Sequence, residues 1–151
     1  MPRIVREADV VWEGNVARGS GQISAATSGA FVELPYSLPT RIGAAEGKTS
    51  PEELLAAAHG ACFAMGLASE LASAGTPAER LDVRCTITMD EVEGRGHLVV
   101  QSSITARARA AGVDEEAFAR LVDAADAGCP FSTLIKASAT VTIDASLEKE
   151  E

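Results

Sequence analysis

Aromatic residues are scarce in this chain, with one Trp, one Tyr and four Phe among 151 residues, 4% in all. An aliphatic core is the expectation. Positive charge is also in short supply, with 13 Lys and Arg against 22 Asp and Glu and a net charge of −9. Such a surface repels phosphate backbones and anionic lipid, which argues against nucleic acid or a membrane as partner. There are only three cysteines, Cys62, Cys85 and Cys129, and no C-x-x-C pair. An odd number without that spacing excludes a disulfide framework and a zinc ribbon. No stretch is expected to reach the 18 or so apolar residues that span a bilayer. The N-terminal Met1-Pro2-Arg3-Ile4-Val5-Arg6-Glu7 lacks the apolar core of a signal peptide. A cytoplasmic protein with resting thiols is the expectation.

What is present describes an ordinary globular chain, 46% hydrophobic and 23% charged, which excludes disordered and fibrous classes. Its length fits a single domain, residues 1–151, which buries roughly 68–70% of its unfolded surface without a staple.

The first forty residues read as strands and turns: Ile4 to Trp12, Val16 to Ser24 and Ala30 to Leu34, punctuated by glycines. Gly19-Ser20-Gly21-Gln22-Ile23-Ser24 lacks the third glycine of a nucleotide-binding loop and opens no helix, so it reads as a flexible turn. Residues 35–49 read as a loop that contains Arg41. A helix is predicted from Ser50 to about Ala74, because Ser50-Pro51-Glu52-Glu53 supplies an N-cap hydroxyl, a proline at the first helical position and a glutamate at N3. Gly75 and Pro77 stop it. From Leu54 to Ala68 this helix is apolar almost all round, so burial on every side is expected. Ala57, Ala61, Ala64, Ala68 and Ala72 form a stripe of small residues that suits a closely packed second helix, supplied by another subunit. Leu81 to Val92 and Leu98 to Arg109 read as a hairpin through Glu93-Gly94-Arg95-Gly96. A helix over 115–127 follows, capped by Asp114, then a helical turn opened by Cys129-Pro130. Ala137 to Leu147 is the last strand. The order gives an α+β class with mainly antiparallel pairing.

Gly43-Ala44-Ala45-Glu46-Gly47-Lys48-Thr49 imitates a phosphate loop but has Ile42 where that motif needs glycine. Cys85, on the inward face of an alternating strand, reads as core. His97 reads as a solvated side chain. His59 precedes Cys62 by three residues on one helix face. With apolar flanks and no evident group to orient it as a base, it reads as a hydrogen-bonded interior histidine. A metal site of His59, Cys62 and Cys129 lacks a fourth ligand. Cys62, in the middle of the buried helix, stays open between a silent core thiol and a reactive one. Cys129 stands at a helix start, where amide dipoles favour a thiolate. Together the two suggest thiol redox chemistry.

The text Trp12-Glu13-Gly14, Arg18-Gly19-Ser20-Gly21, Thr40-Arg41 and Thr49-Ser50-Pro51-Glu52-Glu53-Leu54 resembles the OsmC/Ohr family of bacterial thiol peroxidases, and its OsmC branch in particular. So do Ala57-Ala58-His59-Gly60-Ala61-Cys62-Phe63 and Ala127-Gly128-Cys129-Pro130. The resemblance implies an intertwined homodimer with antiparallel sheets packed around two central helices. It also implies reduction of organic hydroperoxides, and of hydrogen peroxide less well, in oxidative or osmotic stress defence. By position, Cys62 matches the peroxidatic cysteine and Cys129 the resolving one, joined in a Cys62–Cys129 disulfide. Arg41 matches the active-site arginine, with Arg18 the alternative, and Glu52 matches the glutamate that holds it. A dithiol, such as a lipoylated protein, would regenerate the enzyme, with neither a bound cofactor nor a metal. Two rival classes make different demands. A cysteine hydrolase or acyltransferase would use Cys62 with His59, and a non-catalytic dimeric module would bind a small ligand.

Glu52 and Cys62 are ten residues apart, about 15 Å of rise and roughly 80° of turn on an unbroken helix. One arginine cannot bridge both within a straight helix. The expectation is therefore that the partner subunit contributes at least one member of the Arg41–Glu52 pair.

Overall fold

Alternating residues and three close cross-strand partners shape the first part of the chain. In the computed structural model, which describes residues 2–149, strands β1 (Ala8–Glu13), β2 (Ser20–Ala25) and β3 (Leu34–Tyr36) form an antiparallel sheet in that order. Register places Gly21 opposite both Trp12 and Tyr36. The two rings meet across it, with centroids 5.5 Å apart. A Cβ on Gly21 would lie 2.3 Å from the Tyr36 ring and 2.8 Å from that of Trp12. The Gly19-Ser20-Gly21 run is therefore not the flexible turn expected. Its second glycine sits inside a strand because two aromatic rings close over the backbone.

The loop predicted over 35–49 also holds a short helix, α1 (Leu38–Ile42). Ser37 caps it, the hydroxyl accepting from the Thr40 N–H, and a proline stands in its first turn. Five residues with no hydrophobic repeat leave no periodicity to read. Arg41 lies in its last turn.

Helix α2 (Pro51–Ser73) begins and ends where the proline and the Gly75 stop place it. Within this chain α2 is covered on one side only, through His59, Gly60, Phe63, Leu67 and Leu71, while Met65 is 76% exposed. The absence of a membrane-length apolar stretch also needs correction. Alanine and glycine carry α2 far enough in length and hydropathy to cross a bilayer on composition alone. Its buried histidine, hydrogen-bonded to side chains of the neighbouring elements, shows instead a face made for packing on protein.

That packing is against a second sheet, in the order β4 (Arg80–Val92), β5 (Gly96–Arg109) and β6 (Thr140–Leu147). The β4–β5 hairpin is antiparallel with a bulge at Thr88/Met89. β6 runs parallel to β5, so the pairing is mainly antiparallel as expected, but this second sheet is mixed and not the antiparallel one that the resemblance implies. Two helices, α3 (Glu115–Gly128) and α4 (Pro130–Lys136), intervene. A helical crossover returns the chain to the end of the sheet where β5 began, so the next strand must enter parallel. Asp114 caps α3 through the Ala117 N–H at 2.7 Å.

The core joins Phe63, Leu67 and Leu71 of α2, Ile104, Ala106 and Ala108 of β5, and Phe118, Val122 and Ala125 of α3. It is aliphatic except at its centre, where two of the four phenylalanines stand. Small residues set the spacing: a Cβ on Gly60 would come 3.3 Å from the Cys85 Cβ on β4. The chain divides into two compact units, Met1–Pro51 and Glu52–Glu151, the first holding β1–β3 and α1, the second everything from α2 onwards.

Candidate active site

Cys62 stands on α2, one residue before the fully buried Phe63, and is half-buried. Cys129 lies between two helices. Its N–H donates to the Asp126 carbonyl at the end of α3, and its own carbonyl accepts from the Thr133 N–H of α4, at 3.1 Å each. Both backbone groups are thus spoken for, and the side chain makes no cap bond. The Cys129 thiol and the Phe131 N–H of α4 both lie near enough to Cys62 to act on its ionisation, and both cysteines are free thiols. Sixty-seven residues of sequence separate two sulfurs that the fold brings together.

Burial is the largest influence on the Cys62 thiol and pushes it above its ordinary value of 9.0. The Cys129 thiol pushes the same way, and the Phe131 N–H pulls it down. Burial favours the uncharged form, and an N–H donor favours the thiolate.

His59 is not a base for Cys62. Its Nδ1 is 2.6 Å from the Ser102 hydroxyl on β5 and its Nε2 is 2.7 Å from the Ser132 hydroxyl on α4. All three side chains are fully buried. The interior, hydrogen-bonded histidine expected from the sequence is found, and the Cys–His reading loses its base. The serines were not singled out. Ser102 shares its face with Ile104, Ala106 and Ala108, so strand alternation marked it as inward. Ser132 carried no signal. Cys85 also faces inward, its sulfur 3.2 Å from the Ser102 hydroxyl, and His97 is exposed.

Arg41 lines a cavity of about 250 Å³ with Trp12, Val16, Tyr36, Ser37 and Leu38. Arg18 occupies an exposed turn, where its N–H donates to the Asn15 side chain at 2.9 Å. Glu52 lies in the first turn of α2, and neither Arg41 nor Glu52 is without an interaction partner. The helix runs unbroken from Glu52 to Cys62. The groove beside α2, about 450 Å³, is walled by Glu53, Ala57, Ala61 and Ala64 of the alanine-rich face, and by Val83 and Cys85 of β4. Among the described residues, no group of three His, Cys, Asp or Glu side chains could hold a metal ion.

A family model described as OsmC-like protein matches residues 43–144, which takes in Cys62 and Cys129. The chain belongs to the OsmC-like family. It is 34% identical over 145 residues to the peroxiredoxin OsmC of Escherichia coli, covering 96% of this chain and 98% of that protein. It is 28% identical over 130 residues to the organic hydroperoxide resistance protein of Xanthomonas axonopodis pv. citri, covering 84% and 88%. The fold matches the solved structure of an OsmC-like protein of unknown function from Vibrio cholerae with a TM-score of 0.77, at 13% identity, over 95% of this chain and all of that one. At that identity the likeness is one of fold, and it makes the mixed α+β architecture that of OsmC-like structures.

Proposed function

We propose that this OsmC-like protein is a thiol-dependent peroxidase that reduces organic hydroperoxides, with Cys62 as the attacking thiol and Cys129 as the resolving one. The observation that carries the reading is that the fold brings Cys129 near enough to Cys62 for its thiol to act on the Cys62 thiol. Cys62, as thiolate, attacks the distal peroxide oxygen. The O–O bond breaks, the alkoxide takes a proton and leaves as an alcohol, and Cys62 becomes a sulfenic acid. Cys129 then displaces the hydroxyl as water, forming the Cys62–Cys129 disulfide. A dithiol such as a lipoylated protein reduces it in the cytoplasm. The names of the two curated relatives, a peroxiredoxin and an organic hydroperoxide resistance protein, support this chemistry.

A cation beside Cys62 would favour its thiolate, because within the chain burial and its thiol neighbour push the thiol above its ordinary value. Arg41 is assigned that role, its guanidinium offering two donors to the peroxide and Glu52 fixing it in a bidentate pair. The unbroken helix from Glu52 to Cys62 supports a composite site in an intertwined homodimer, in which the partner supplies Arg41, Glu52 or both. The alanine-rich groove along α2 suits the partner's α2.

Replacement of each cysteine tests the assignment. Cys62→Ser should consume no hydroperoxide. Cys129→Ser should consume one equivalent and stop with a sulfenic acid on Cys62. Undiminished turnover of Cys129→Ser with a lipoyl dithiol would remove Cys129 from the reaction.

A further inference from the structure

The buried cluster around His59 takes no part in the chemistry above. A neutral imidazole hydrogen-bonded at both nitrogens is a directional connector, and here it joins α2 to β5 and α4, with the Cys85 sulfur of β4 also 3.8 Å from its Nδ1. Ser102 anchors it to β5 at 2.6 Å, and Ser132 anchors α4 to it at 2.7 Å. Helix α4 has seven residues, far too few to be stable by itself. It needs external attachments. Its last turn is held by the ion pair of Lys136 with Asp126 of α3. Its first turn carries Cys129 at a cap position without a side-chain cap bond, and there the Ser132–His59 hydrogen bond is the side-chain tie to α2.

The placement of that tie follows from helix spacing. His59 is three residues before Cys62 on α2, and Ser132 is three residues after Cys129. Residues three apart are neighbours on a helix surface. The His59–Ser132 bond therefore runs beside the Cys62–Cys129 pair, about one turn away on each helix. We propose that His59 is a positioning residue for the second half of the reaction, holding the first turn of α4 on α2 so that the Cys129 sulfur stays opposed to Cys62. This rests on the reading of Cys62 and Cys129 as the redox pair.

In the step concerned, the Cys129 sulfur gives an electron pair to the Cys62 sulfur of the sulfenic acid. The S–S bond forms, the S–O bond breaks, and the hydroxyl leaves as water with the Cys129 proton. Its rate follows the fraction of time the sulfurs are apposed. Attack on the peroxide needs the Cys62 thiolate and not an apposed second sulfur.

The test is a single turnover of the full-length protein with one equivalent of cumene hydroperoxide, quenched at intervals with a dimedone-type sulfenic acid trap and read by mass spectrometry. Ser132→Ala should consume peroxide within about twofold of the wild-type rate. Its sulfenic acid should persist about two- to tenfold longer, the equivalent of one net hydrogen bond. Ser102→Ala removes the sheet anchor but leaves the tie between the two helices, and should lengthen that lifetime clearly less. Loss of general stability would affect both variants alike. Equal lengthening in the two variants, or wild-type condensation in Ser132→Ala, would overturn the positioning role. If the wild-type protein itself forms no Cys62–Cys129 bridge, the redox reading fails first, and that arm alone shows it.

Discussion

Replacing Arg41 by alanine should shift the pH dependence of the first step as well as slow it. Within the chain, burial and the Cys129 thiol hold Cys62 above 9.0, offset in part by the Phe131 N–H. A thiol with that titration is less than about 1% thiolate at pH 7, since each unit is a factor of ten. An opposite charge within reach lowers such a group by about 1–3 units, which raises the thiolate about 10- to 100-fold before the population saturates. Loss of an aimed donor at the breaking O–O bond removes on the order of 100-fold more. Arg41→Ala should therefore slow peroxide attack by roughly 1000- to 10,000-fold at pH 7. The deficit should shrink at high pH, where Cys62 ionises unaided, down to the donor contribution alone. Stopped-flow reaction with an organic hydroperoxide, beside alkylation of Cys62 by iodoacetamide, separates the two effects across a pH series. An alkylation midpoint unchanged in Arg41→Ala would refute the electrostatic role. A shifted midpoint in Arg18→Ala with none in Arg41→Ala would assign it to the other arginine.

Two further outcomes are expected. When inactive Cys62→Ser and Glu52→Ala proteins are unfolded and refolded together, mixed dimers should regain one intact site if Glu52 crosses the interface; activity no higher than that of the separately refolded variants would confine Glu52 to its own chain. His59, held below its ordinary value of 6.5 chiefly by burial, with Asp126 raising and Lys136 lowering it, should make folding pH-dependent. Above pH 6.5 the ring is neutral in both states, and its contribution is fully present. Below that, the unfolded chain takes up a proton that the folded one refuses, so stability falls with a limiting slope of about 1.4 kcal/mol per pH unit until the folded value is passed. Urea midpoints between pH 7.5 and 5 should show a steeper acid loss in wild type than in His59→Gln, and parallel curves would contradict the buried neutral ring.

The elements with strong local signals were legible in the sequence. Pro51 and Gly75 bound α2, Asp114 starts α3, and the alternation of Leu81 to Val92 gives β4. The parallel entry of β6 was not legible, because strand alternation carries no direction. α1 was hidden because a five-residue helix has no period. Gly21 was misread because its reason, two aromatic rings closing over the backbone, lies on neighbouring strands. At the site, Cys62 and Cys129 each gave a weak local signal that the family resemblance sharpened, and the fold then set their sulfurs together. The serines around His59 needed the fold, since a hydroxyl on a strand and one on a short helix look like any others until a buried ring lies between them.

The central claim is that Cys62 and Cys129 form one redox pair within a chain, with Cys85 outside it. Peptide mapping after one equivalent of an organic hydroperoxide addresses it most directly. The account predicts a single intramolecular Cys62–Cys129 bridge and a reduced Cys85. A bridge that includes Cys85, or no bridge after the peroxide has been consumed, would contradict it.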